Sequence, residues 1–435
     1  MLAMKRIFLF LFFFPVIIHA QIITTVAGNG VFNFGGDGGA AIACELNYPT
    51  GVAVDNAGNI YIADAWNNRI RRVDAAGIIT TIAGTDTVGY SGDGGAATLA
   101  ALHYPTGVAV DQYNNVYIAD TWNNTIRKIN ASGIITTIAG NGAGGYTGDG
   151  LPATAEELYY PSGLAIDNSG NVFIADVSNQ RIRKINAGGI ISTVAGVGQY
   201  GYGGDGAAAT LAGLGSPVGV AVDNAGNVYI ADEGDSRIRK VDTAGIISTV
   251  AGTDISGYSG DGGPASAAMI YDPYGLAIDN AGNIYFTDAG NSLIRKISAS
   301  GVINTIAGND TAGYNGDAIA PTASEINDPY GITIDHLGNI YFADESNSRI
   351  RKICMDCTTD SIKQSFLIYP NPAQNELTIL SSQPMTSIAL IDVWGQIIYT
   401  YACNTEQVHL DVTYLAASVY FVRINGTVVR KFVKK

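Results

Sequence analysis

Tyr48-Pro-Thr-Gly-Val-Ala-Val-Asp-Asn-Ala-Gly-Asn-Ile-Tyr-Ile-Ala-Asp-Ala-Trp-Asn-Asn-Arg-Ile-Arg71 returns with few changes at residues 104–127, and four further copies follow. The aspartates closing the Gly-Val-Ala-Val-Asp segments (Asp55, Asp111, Asp167, Asp223, Asp279, Asp335) are 56 residues apart. The Ala-Asp aspartates keep the same step (Asp64, Asp120, Asp176, Asp232, Asp288, Asp344), as do those of a Gly-Asp loop (Asp37, Asp93, Asp149, Asp205, Asp261, Asp317). Equal spacing without an insertion means six copies of one supersecondary unit, none able to bury its apolar faces alone.

Within one copy, Gly51–Asp55 reads as a short apolar strand, and Asn56–Asn59 as a tight turn with a glycine for positive φ. Ile60–Ala63, Arg69–Val73 and Ile78–Ala83 supply three more strands, so each unit has antiparallel strands a, b, c and d. Strands a and b are apolar or small at nearly every position, where a sheet with one wet face would alternate. Sheets stacked radially cover each other on both sides, and the small residues Gly51 and Ala53 suit crowding near an axis. The fold class predicted is all-β, a six-bladed β-propeller with four-stranded blades. The last copy stops after strand c, while Ile22–Ala27 is a d-type strand ahead of every strand a. That N-terminal strand is expected to complete blade six, removing an open edge.

The Y-P-T-G-V-A-V-D-x-x-x-N-x-Y-I-A-D-x-W-N-N-x-I-R pattern resembles the NHL repeat, over residues 22–353. Ordinary NHL repeats are shorter; the excess here lies in the d-to-a connections, such as Gly84–Pro105 with its G-Y-S-G-D-G-G-A-A-T core. The tail opens with Y-P-N-P-A-Q-N-E-L at 369–377 and ends in basic residues. It resembles the C-terminal sorting domain of the type IX secretion system and alternates like a small β-sandwich. That resemblance implies the secretion machinery of a Gram-negative cell as a partner, with tail removal and release or attachment at the outer-membrane surface.

At the N-terminus, Lys5-Arg6, an apolar run from Ile7 to Ile18 and His19-Ala20 read as a secretory signal, too short to span a bilayer. No other segment suits a transmembrane passage. The expected organisation is a signal peptide at 1–20, a propeller at 21–353, a linker at 354–365 and the sorting domain at 366–435. Residues 21–353 hold 16 Lys and Arg against 32 Asp and Glu, and that acidity repels phosphate backbones, excluding nucleic acid. Cys354-Met-Asp-Cys357 lacks the second ligand pair zinc needs, leaving a local disulfide or idle thiols.

The repeated Asp and Arg residues (Arg71, Arg127, Arg183, Arg239, Arg295, Arg351) are expected to tie turns and strands, because a catalytic constellation needs different residues in different roles. Each Gly-Asp loop brings one carboxylate among glycines, short of calcium's six to eight oxygens, so no cofactor is expected and calcium is the one metal the loops could suggest. His103 and His336 fall in connections on opposite faces and cannot share a metal. Ligand-binding candidates lie on the face of the long connections: Trp66 and Trp122, with Asp37, Asp93, Asp149, Asp205, Asp261 and Asp317 as an acidic ring. Cys44, Glu156, Glu157, Tyr159, Glu233, Asp235 and Glu345 share that face. Trp66 and Trp122 are equivalent in neighbouring blades, where the others are read as carrying Val177, Glu233, Ala289 and Glu345. The opposite face, with only tight turns, is expected to recognise little. The function expected is a secreted or cell-surface module binding an extracellular glycan or protein. Alternatives are a lyase- or lactonase-like propeller enzyme using carboxylates at the axial mouth, and a structural surface-layer component.

Overall fold

Each repeat forms an antiparallel four-stranded sheet. The computed structural model describes residues 21–355, 366–425 and 428–435. The expected signal peptide and most of the expected linker, Cys357 included, lie outside them. In blade one, strand a is Pro49–Val54, b Ile60–Asp64, c Arg69–Val73 and d Ile79–Ala83. The a-to-b turn is held by Asp55, whose carboxylate accepts the N–H groups of Ala57 and Asn59 at 2.9 and 2.8 Å. The b-to-c turn is a single 3-10 turn, Ala65–Asn67, ending on Asn68 in the left-handed region (φ 52°).

Ring closure follows the expected plan. Ile22–Ala27 pairs antiparallel with Arg349–Cys354, setting Ile22 opposite Cys354 and Ile23 opposite Ile353. It completes the sixth sheet with Ile340–Asp344 and Pro329–Ile334.

Strand a of all six blades lines an axial cavity of about 270 Å³. Crowding there explains one glycine per blade. A methyl group on Gly107 would lie 2.1 Å from the Ser162 carbonyl oxygen of the next blade, and one on Gly331 would lie 2.5 Å from that of Thr50, closing the circle. Apolar packing is likewise shared between blades: Val52, Ile62, Val73 and Ile79 of blade one cluster with Tyr341 and Ala343 of blade six.

The d-to-a connections do not stand free. After the Gly-Asp pair, each turns along the outer edge of the next blade's strand d. Gly94 donates to the Ile135 carbonyl at 2.8 Å, Ile135 donates to Gly95 at 3.0 Å, and Ala97 donates to Gly133 at 2.9 Å. In blade six, Ala318 donates to Ile23 at 2.8 Å. The extra length therefore covers an exposed sheet edge.

The tail strands Phe366–Tyr369, Glu376–Ile391, Ile397–Asp411, Ser418–Ile424 and Val428–Lys434 form one hydrogen-bonded network. Its long strand, Glu376–Ile391, pairs with Phe366–Tyr369 through its first half and with Ser418–Ile424 through its second. Leu377, Ile379, Ile388, Leu390, Val422 and Phe432 fill this small sandwich. Cys354 is disulfide-bonded, whereas Cys44 and Cys403 are free. Deleting Ile22–Ala27 should leave blade six with a bare edge on strand c, and we expect aggregation or loss of the cooperative thermal transition. A soluble truncated chain with an unchanged melt would refute strand closure.

Candidate functional site

The repeated charges form a structural girdle. Arg71 and its five equivalents are fully buried. Arg71 meets Asp64 at 3.1 Å and Asp37 at 2.7 Å, and its guanidinium also donates to the Gly35 carbonyl at 3.1 Å. Asp64 accepts in addition from the Asn47 N–H and the Asn67 amide, both at 2.8 Å. An aromatic residue of the Gly-Asp loop lies over the guanidinium, as with Tyr90 at 4.7 Å from Arg127, and the Tyr90 hydroxyl donates to Asp93 at 3.0 Å. This accounts for Tyr-Ser-Gly-Asp-Gly: a side chain on Gly92 (φ +93°) would strike Ala100.

The Gly-Asp carboxylates are therefore engaged within their own blades. Asp37, Asp93, Asp149, Asp205, Asp261 and Asp317 each pair with the strand c arginine of their own blade. Asp37, Asp205 and Asp261 also accept N–H bonds from strand d, from Thr81, Thr249 and Thr305. These contacts fasten each loop to strands c and d, the outer strands of its blade. In each, one carboxylate oxygen already faces a guanidinium.

What remains open is the axial mouth, and its two halves differ. Trp66 and Trp122 are brought together edge to face, 6.3 Å between ring centroids, and are 51% and 43% exposed. Tyr104 joins them, stacked on Trp122 at 4.8 Å and edge-on to Trp66 at 5.4 Å. Tyr48 and Phe32 extend the patch on one side, and stacked Tyr159 and Tyr160 stand in blade three. Tyr48, Tyr104 and Tyr160 precede the first proline of strand a and adopt φ of 48–51°. Glycine would fit that conformation with less strain, yet no blade uses it there. The residue needed is one with a side chain.

At the same position blades four to six carry Ser216, Asp272 and Asp328. With Glu233 and Glu345 of the b-to-c turns, these carboxylates make the other half acidic. Burial, then Asp328, pushes the Glu345 carboxyl up to about 8. Burial also raises Asp272, helped by Asp328, and raises Glu233, helped by Asp272. Tyr274 and Tyr330 stack at 4.5 Å toward the axis, and the Tyr330 hydroxyl lies 3.5 Å from the Ser162 hydroxyl of the opposite blade, partly closing the channel.

Some expectations need correction. By the 56-residue step, Ser178, Gly234, Gly290 and Ser346 correspond to Trp66; Val177, Glu233, Ala289 and Glu345 correspond to the buried Ala65 one place earlier. Cys44 and Glu156 are fully buried beneath their loops, burial pushes the Cys44 thiol up to about 12, and the Thr147 hydroxyl bonds Glu156. Asp235 lies close against Gly215, within contact of any side chain placed there. His103 packs on the edge of Trp122 at 4.8 Å, while His336 sits in a distant a-to-b turn. The short-turn face is not featureless: a hollow of about 330 Å³ lies among the a-to-b turns of blades one to three. Its carboxylates Asp55, Asp111 and Asp167 are consumed by their own turns. Tyr104, Tyr274, Tyr330, Asp272 and Asp328 escaped the sequence reading. Their signal is variation beside the repeated proline: Tyr, Tyr, Tyr, Ser, Asp, Asp before it and Thr, Thr, Ser, Val, Tyr, Tyr after it.

The girdle has a consequence for acid stability, since one guanidinium serves two carboxylates per blade. Burial sets the inner aspartates Asp64, Asp120, Asp176 and Asp288 near 6 and Asp232 near 7. These values exceed the unfolded range, so the folded chain holds protons the unfolded chain has lost. Their stabilisation is complete below about pH 4 and fades as pH rises through the folded values. Asp111, Asp223 and Asp279 act oppositely: although burial works against it, amide and N–H donors hold them below the usual range. Their stabilisation is lost only in stronger acid. Thermal melts at constant ionic strength should peak at about pH 4 and decline toward pH 7; a peak at neutral pH would contradict this.

Comparison with known proteins agrees with the geometry. The family described as Teneurin NHL domain matches in five consecutive segments, 31–91, 88–145, 142–202, 198–257 and 253–315. Secretion system C-terminal sorting domain matches 367–435. Teneurin-1 of Mus musculus is 31% identical over 237 residues, 48% of this chain but 8% of its own length, so this chain spans less than a tenth of that relative. A structural genomics protein of unknown function from Bacteroides thetaiotaomicron superposes with a TM-score of 0.59 at 20% identity, covering 77% of this chain and 76% of its own. An auxiliary nutrient binding protein from the same organism gives 0.58 at 15% identity, covering 78% and 77%. At such identities the likeness is one of fold. The serial repeats, the closed ring and the terminal module agree: the chain belongs to the Teneurin NHL domain family and carries a type IX secretion sorting domain at its end.

Proposed function

We propose that this protein is an exported binding module that holds an extracellular glycan on the aromatic half of its axial mouth. The observation that carries this reading is the exposed, contiguous group of Trp66, Tyr104 and Trp122. Exposed aromatic rings rimmed by polar groups mark interaction sites, and flat ring faces suit the C–H faces of sugar rings. The sharing of this fold with an auxiliary nutrient binding protein supports a binding role without naming a ligand. Trp66→Ala with Trp122→Ala should weaken retention on immobilised polysaccharide by about tenfold or more. The thermal melt should not change, because both rings lie outside the Arg–Asp girdle. Undiminished retention would reject the platform.

Export is assigned to the tail, so a chain ending at Thr359 should fold in a foreign host yet stay periplasmic in its own. Finding it in the medium would remove that role. A second reading, catalysis by the mouth carboxylates, draws on Glu345, whose carboxyl is pushed up to about 8 by burial and then by Asp328, as a general acid requires. Cleavage of the retained glycan would favour it.

A further inference from the structure

The acidic half of the mouth lacks counter-ions. Asp328, Asp272, Glu233 and Glu345 form no ion pair among the described residues, although every buried arginine of the girdle has two carboxylates. Glu345 is only 8% exposed, and the group beside its carboxyl is another carboxyl, that of Asp328. A carboxylate withdrawn from water this far needs a cation or a proton. Among the described residues it has only the proton.

Ring faces adjoin this acidic arc. Tyr104, stacked on Trp122, has its hydroxyl raised to about 12 by burial and then by the field of Glu345 and Asp328. Stacked Tyr274 and Tyr330 stand at the inner rim in the field of Glu233, Asp272, Asp328 and Glu345. Negative ring faces and unpaired carboxylates share one preference: both attract a substituted ammonium group, and neither attracts an anion. The girdle arginines of these blades, Arg239, Arg295 and Arg351, are buried and engaged by their own aspartates.

We propose that the mouth recognises a glycan bearing free amino groups, its sugar rings lying on Trp66, Tyr104 and Trp122 and an ammonium entering between Tyr104 and the Asp328–Glu345 pair. This rests on the glycan platform proposed above and names its ligand class. The amine replaces the proton held by the carboxyl pair, so binding near neutral pH releases a proton to solvent.

The test is calorimetric titration of the full chain with a glucosamine oligosaccharide and with its N-acetylated counterpart, in two buffers of different ionisation enthalpy. The amino form should bind about tenfold or more tightly than the acetylated form, with a buffer-dependent heat. Asp328→Asn with Glu345→Gln should reduce that preference to near unity while leaving the acetylated form bound, and Trp66→Ala with Trp122→Ala should weaken both. Equal affinity for the two sugars in the unmodified protein would overturn the cation site and leave the platform standing. Binding of neither by folded protein would overturn both readings. Retention of a lysine-rich peptide in place of either sugar would reassign the mouth to a protein partner.

Discussion

Arg71 and its five equivalents are withdrawn from water, and a buried guanidinium persists only where carboxylates and carbonyls surround it. Each blade meets this demand from three directions: an aspartate at the end of strand b, an aspartate from the incoming loop, and loop carbonyls. The arginine thereby anchors the long connection against strands c and d, where it also covers the sheet edge. The repeat length, the Tyr-Ser-Gly-Asp-Gly motif and the spacing of the aspartates all serve this one arrangement.

Because the loops are consumed in this way, variation that could carry function is confined to a narrower place. The frame repeats faithfully around the ring, while the residues beside the first proline of strand a change from aromatic to acidic halfway round. Six-fold symmetry is kept where blades pack and broken at the mouth. A symmetric mouth would offer one chemistry six times; a divided one can orient a ligand, with rings under one side and carboxylates under the other.

Particular residues show how far reasoning from sequence reaches. Ile22–Ala27 was legible as the closing strand, because the count of d strands exceeded what five complete blades needed. Gly51 and its equivalents were legible as axial residues from their size. Asp37 and its equivalents were legible as repeated but not as fastened to strands c and d, since spacing along the chain does not say what a loop packs against. Asp328 and Glu345 are seventeen residues apart, and only folding sets their carboxyls side by side.

The sequence by itself determined the period, the strand pattern, the closure and the sorting tail, because each is a local signal repeated or placed at an end. Tertiary structure alone decided which carboxylates are neutralised and which remain unpaired. Charge depends on neighbours in space: Asp93 lies 34 residues from the arginine that satisfies it, whereas Glu345 faces another acid. Tertiary structure also gathered Tyr104 with Trp66 and Trp122 across two blades, since a ring of blades brings together turns that the chain holds a full repeat apart.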